Sequence, residues 1–91
     1  MEQIRCTKYL RFFLISMNPK TMTYEVLSIN QGLRLAIIKW YGPWRQYCFY
    51  PEANTVWNVG CLQDINKFIN DLMAERRMKK NEADSKEEND I

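Results

Sequence analysis

Ile37-Ile38-Lys39-Trp40-Tyr41-Gly42-Pro43-Trp44-Arg45-Gln46-Tyr47-Cys48-Phe49-Tyr50 decides the fold of this chain. It reads as two β-strands joined by a tight turn, and it holds six of the twelve aromatic residues. Proline fixes its own φ, and glycine accepts the geometry required before it, so Gly42-Pro43 marks the turn. With Pro43 and Trp44 at the turn centre, Tyr41 lies opposite Gln46, Trp40 opposite Tyr47, and Ile38 opposite Phe49. Side chains alternate along each strand. One face then gathers Ala36, Ile38, Trp40, Tyr47 and Phe49, which is the expected core face. The other gathers Ile37, Lys39, Tyr41, Gln46, Cys48 and Tyr50, aromatic bodies with polar tips, and is expected to be partly solvated. Trp44 and Arg45 sit at the tip. A slip of one residue would exchange the two faces.

Outward from this pair, Leu33 to Tyr41 and Arg45 to Tyr50 are the central strands. Asn30-Gln31-Gly32 is a hairpin turn, and Met22 to Ile29 is a strand rich in β-formers. Asn18-Pro19-Lys20-Thr21 is another turn. Before it, Lys8 to Ser16 reads as a strand, although Leu10, Phe13, Leu14 and Met17 also match a helical stripe. Residues 1 to 7 are polar and expected to fray. On the other side, Pro51-Glu52-Ala53-Asn54 turns the chain into a short last strand, Thr55 to Asn58. Gly60 or Asn58 then starts a helix, with Gly60 and Gln63 as a weak capping-box resemblance. Leu62, Ile65, Ile69, Leu72 and Arg76 form one stripe, with Phe68 and Met73 beside it, the pattern of a helix lying on a sheet. The helix is expected from Cys61 to Met78. The fold class is α+β: an antiparallel meander of four to five strands with one C-terminal amphipathic helix packed on one face.

Ninety-one residues make one domain. Residues 1 to 80 carry twelve Lys/Arg against six Asp/Glu, a charge of +6. Residues 81 to 91 carry Lys86 against Glu82, Asp84, Glu87, Glu88 and Asp90, a charge of −4. The expected organisation is a basic domain over 1–80 and an acidic tail over 81–91, disordered or an extended, frayed continuation. Cys6, Cys48 and Cys61 are odd in number and lack CxxC spacing, which fits reduced thiols, with Cys48 and Cys61 as small buried hydrophobes. No segment approaches 18 apolar residues, and Phe12-Phe13-Leu14-Ile15 is too short for a signal-peptide core. A cytoplasmic protein is expected, without membrane contact.

The chain has no histidine, which removes the commonest general base and metal ligand. No phosphate-loop or dinucleotide motif is present, and no metal-ligand cluster. Glu52 lies beside the aromatic hairpin but reads as a solvated turn carboxylate. The expectation is therefore no enzyme, no catalytic residue, no cofactor and no metal. The stronger signal is aromatics interleaved with cations. Lys39, Trp40, Tyr41, Trp44, Arg45 and Tyr47 are the candidate binding residues, with Arg34 further back. Single-stranded nucleic acid stacks bases on such rings while Lys and Arg hold phosphates. Protein partners also select Trp, Tyr and Arg. Core filling is the plain alternative for Trp40, Phe49 and Trp57. Arg76, Arg77, Lys79 and Lys80 read first as a solvated helix end and second as an extension of the basic patch.

The string Ile38 to Pro51, followed by Asn54-Thr55-Val56-Trp57 and Cys61-Leu62-Gln63-Asp64-Ile65, resembles a family of short uncharacterised proteins from bacteriophages and bacterial mobile elements. The resemblance spans about residues 24 to 73. It implies a small phage-type accessory protein that works by binding nucleic acid or a host protein, such as an antiviral-defence component, in the host cytoplasm. No catalytic residue is carried over with it. Three readings follow. Single-stranded nucleic-acid binding by the hairpin leads. A protein–protein inhibitor or adaptor using the same surface comes second, and a homodimer without other ligand third.

Overall fold

The computed structural model describes the backbone of residues 2–88 and the side chains of residues 2–78. Five strands follow in chain order: β1 Glu2–Cys6, β2 Leu10–Met17, β3 Met22–Ser28, β4 Arg34–Tyr41 and β5 Gln46–Pro51. They form one antiparallel sheet in the order β1-β2-β3-β4-β5. A 30-residue helix, α1 Val59–Glu88, follows. The architecture is the expected α+β meander with a C-terminal helix.

The register of the central pair is the one the turn dictates: Tyr41 faces Gln46, Trp40 faces Tyr47 and Ile38 faces Phe49. The helix-side face is therefore built from alternate residues of four strands. Leu10 and Phe12, Tyr24 and Val26, Ala36 and Ile38, and Tyr47 are buried there. Against them α1 places Cys61, Ile65, Phe68 and Leu72, at spacings of four, three and four. That spacing keeps all four on one side of a helix. The Phe12 and Phe68 rings stack at 4.4 Å, and Tyr24 meets Phe68 edge-on at 5.1 Å. Each fully buried large side chain contributes roughly 1.5–3 kcal/mol.

Three expectations are corrected. Residues 2–6 are not frayed but form the edge strand β1, paired with β2. Ile4 is β1's one strongly apolar residue, so the usual alternation is missing. Packing of Arg5 replaces it: the guanidinium lies 5.0 Å from the Phe68 ring centroid and 2.8 Å from Asp71. Thr55–Asn58 is not a strand; Val56 is 92% exposed, and Trp57 is held by Phe49 at 5.4 Å and by the Thr55 hydroxyl, which accepts from Nε1 at 2.9 Å. The helix starts two residues early because Asn58, not Gly60, is its cap. Its Oδ1 accepts from the Cys61 N–H at 2.7 Å, the bond expected of an N-cap amide. One consequence is that the stripe turns toward Cys61, and Leu62 is left 45% exposed. The expected helix end is Met78, but the backbone continues as helix through Glu88, and residues 89–91 lie outside the described residues. At about 1.5 Å per residue the helix is about 45 Å long, more than an eight-residue strand can cover.

Cys61 is buried as expected, whereas Cys48 is only partly covered and Cys6 is exposed; all three are free thiols. Among the described residues no helix is long and apolar enough to cross a membrane.

Candidate functional site

The tip of the central hairpin is a single 3₁₀ turn, Gly42–Trp44, with Pro43 in its first positions. The turn closes when the Arg45 N–H donates to the Gly42 carbonyl at 3.0 Å. This closure puts Arg45 in the left-handed region, φ 53 and ψ 47. A non-glycine residue is strained there by about 1–3 kcal/mol, a cost glycine avoids. Trp44 projects 67% exposed and meets Tyr41 edge-on at 5.0 Å.

Alternation along β4 and β5 divides the six candidate residues among three surfaces. Lys39 and Tyr41 lie on the open face, where the Lys39 ammonium sits 4.8 Å from the Tyr50 ring centroid. Trp44 and Arg45 form the tip. Trp40 and Tyr47 face the helix and touch edge-on at 5.4 Å. Tyr47 is only 6% exposed. Its hydroxyl accepts from the Met22 N–H at 3.1 Å, and its own N–H donates to Met73 Sδ at 3.4 Å. Tyr47 is a core residue that positions Trp40 and offers no surface of its own.

Trp40 is half-buried, and α1 supplies what surrounds it. The Arg76 guanidinium lies 4.0 Å from the Trp40 ring centroid. Its Nη1 donates to the Lys20 carbonyl at 2.7 Å, which fixes its position from the β2–β3 turn. Trp40, Arg45, Met73, Arg76 and Arg77 line a cleft of about 430 Å³. Among the described residues none of these three arginines makes an ion pair. Of the basic run at the helix end, Arg76 is packed on an aromatic ring and Arg77 lines the cleft, while the side chains of Lys79 and Lys80 lie outside the described residues. A smaller cavity adjoins it, with Lys20, Tyr24 and Glu75 in its wall. Burial pushes the Tyr24 hydroxyl up to about 12, with Tyr47 and Glu75 adding to the effect.

The open face has a different character. Gln3, Phe13, Glu25, Ile37 and Tyr50 stand in one row across the sheet. Glu25 is 8% exposed despite lying on the side without a helix. Arg34 holds it with two nitrogens at 2.5 and 2.6 Å. Glu52 approaches Arg34 at 4.0 Å from an exposed turn.

Residue types in the sequence marked the hairpin as the candidate site but not the helix residues that line the cleft with it. Arg76, Arg77 and Met73 reach Trp40 only because α1 runs from the Tyr9 end of the sheet toward the Trp40 end. The one available signal was Trp40 on the core face beside a helix whose last turns are cationic.

No family model matches the chain, and no solved structure matches it. Over 75 residues it is 40% identical to the "Uncharacterized 9.3 kDa protein" of Acholeplasma phage L2, an alignment that covers 81% of this chain and 96% of that protein. The chain therefore belongs to the same family of short phage proteins as that 9.3 kDa protein.

Proposed function

We propose that this phage-family protein is a non-enzymatic binding module of the host cytoplasm, and that its aromatic-basic hairpin binds single-stranded nucleic acid. The observation that carries this is the Trp40 cleft, lined by Arg45, Arg76 and Arg77, none of which makes an ion pair among the described residues, with Arg76 packed on the indole. Guanidinium forks match phosphate oxygens, and an aromatic face takes any base. Trp44, next to Arg45, adds an exposed ring at the tip, while Lys39 stands on the other face of the sheet against the Tyr50 ring. The strain at Arg45 supports the same reading, because a turn that favours glycine there carries a cation instead.

The test is tryptophan fluorescence of the full chain titrated with short DNA and RNA single strands at two salt concentrations. Saturable quenching that weakens steeply with salt is expected. Trp44→Ala removes one stacking ring and should weaken binding by about 5- to 150-fold, the equivalent of roughly 1–3 kcal/mol per base. Arg45→Gly should weaken binding while leaving the thermal midpoint unchanged or higher, since it relieves the left-handed residue. Binding that ignores salt, or none by the folded protein, overturns the reading.

The exposed Trp44–Tyr41 pair favours a second reading, an inhibitor or adaptor docked on a host protein such as a defence component. A stoichiometric complex that survives nuclease treatment would select it. A homodimer that buries the Trp44 tip would instead double the mass in light scattering.

A further inference from the structure

We infer that the Trp40 cleft is an end-binding subsite, which takes the terminal phosphomonoester of a single strand with its last base against the apolar wall. This rests on the nucleic-acid reading above and names the part of the strand the cleft selects. The argument is one of charge. Arg45, Arg76 and Arg77 bring three positive charges to one cleft, and among the described residues no carboxylate lines it. A phosphodiester inside a strand brings a single negative charge. A terminal phosphomonoester brings about 1.5 to 2 at neutral pH and offers three strong acceptor oxygens. Three clustered guanidiniums repel one another, and a dianion relieves that repulsion more fully than a monoanion.

The geometry suits this ligand. Arg76 is held by Trp40 below and the Lys20 carbonyl beside it, so its remaining donors are presented without first being ordered. The closed turn fixes the backbone of Arg45 at the cleft's edge. Trp40 and Met73 give the cleft an apolar wall for a base and its sugar. The volume, about 430 Å³, falls in the usual range of roughly 300–1,000 Å³ for small-molecule sites. Glu75 lines only the adjoining cavity, with Lys20 beside it.

The inference has its own pH signature. The second ionisation of a phosphomonoester lies near pH 6. The chain has no histidine, the side chain that would otherwise titrate in the same window. A preference for phosphorylated ends that fades between pH 7.5 and 5.5 therefore belongs to the ligand.

The experiment compares one labelled ten-nucleotide strand in three forms, with a 5′-phosphate, a 3′-phosphate or hydroxyls at both ends. Each is titrated with the full chain by fluorescence anisotropy, alongside a free mononucleotide as competitor. One phosphorylated form should bind at least about tenfold tighter than the hydroxyl form at pH 7.5, as one added charge-assisted contact gives. The margin should shrink at pH 5.5. Arg77→Gln, at an exposed position of the cleft, should weaken the phosphorylated form several-fold more than the hydroxyl form and so narrow the margin; an equal loss for both forms overturns the end-binding inference. Equal binding of all three strands overturns the end-binding inference and leaves the nucleic-acid reading standing. No binding of any strand overturns both. A mononucleotide that competes as well as the phosphorylated strand overturns the assignment to a strand end and makes a free nucleotide the ligand.

Discussion

The two faces of the sheet are held by different physics. On the helix side, rings meet rings: Phe12 on Phe68, Tyr24 on Phe68, Trp40 on Tyr47. On the open side, the row from Phe13 to Tyr50 has no covering layer among the described residues, and its centre is an ion pair, Glu25 with Arg34. The first face owes its stability to excluded water. The second keeps a buried carboxylate satisfied by one guanidinium. The difference teaches that a small domain can leave half of its sheet uncovered if the polar group at the centre of that half is satisfied within the chain.

The sharpest way to break this comparison is a pair of neighbouring deletions. Phe12→Ala should cost about 3–5 kcal/mol in urea unfolding, because it empties a fully buried stacked site. Phe13→Ala, one residue along and on the open face, should cost about 1 kcal/mol or less. Equal losses would mean that the open face is packed as tightly as the other. Next comes Arg34→Ala, which strands the Glu25 carboxylate. The guanidinium is partly exposed, so the expected loss is about 1–3 kcal/mol. Replacing both residues by leucine should recover most of it; a double variant no better than the single one would show that the pair does more than satisfy a charge.

Smaller again is the effect of Asn58→Ala, about 1 kcal/mol for a lost cap. The smallest is an effect of acid. The Arg5 hydrogen bond foremost, with Lys67 assisting against desolvation, holds the Asp71 carboxyl below its usual value. A carboxyl depressed in the folded state stabilises above its unfolded value and loses that stabilisation as pH falls through the folded one. Asp71→Asn should therefore flatten the acid limb of a stability profile below about pH 4. At the other extreme, the raised Tyr24 hydroxyl makes stability fall as pH rises from 10 to about 12. An alkaline titration followed by tyrosinate absorbance should show Tyr24 ionising with unfolding.

Much of the fold was legible because one turn admits one register. Gly42-Pro43 pinned the hairpin, and alternation then assigned Ile38, Trp40, Tyr47 and Phe49 to the core side. Less was legible where side chains play unusual parts. The β1 strand hides because its inward residue is Arg5, a cation lying on a ring. Thr55 to Asn58 looked like a strand because Thr, Val and Trp favour one, but Asn54 turns left-handed at φ 63 and no neighbour pairs with the segment. The site was half legible. Residue types at the tip announced Trp44 and Arg45, whereas Tyr47 was assigned to the surface and to the core at once. Arg76 and Arg77 could be placed only after the direction of the helix across the sheet was known.

One small contact has a consequence for assembly. A sheet of five strands has two outer edges, and an unguarded edge invites another chain to add to it. Here the edges differ. Along β5, Met73 takes the Tyr47 N–H, Trp57 packs on Phe49, and Pro51 has no N–H to give. Along β1, Ile4 is exposed and the outward backbone groups meet no further strand among the described residues. A molecule with one receptive side can accept a single neighbour there, but it cannot pass the pairing on. Pairing of two chains along β1 would therefore leave no second edge for a third, a form of protection against fibres that would rest on one thioether, one indole and one proline.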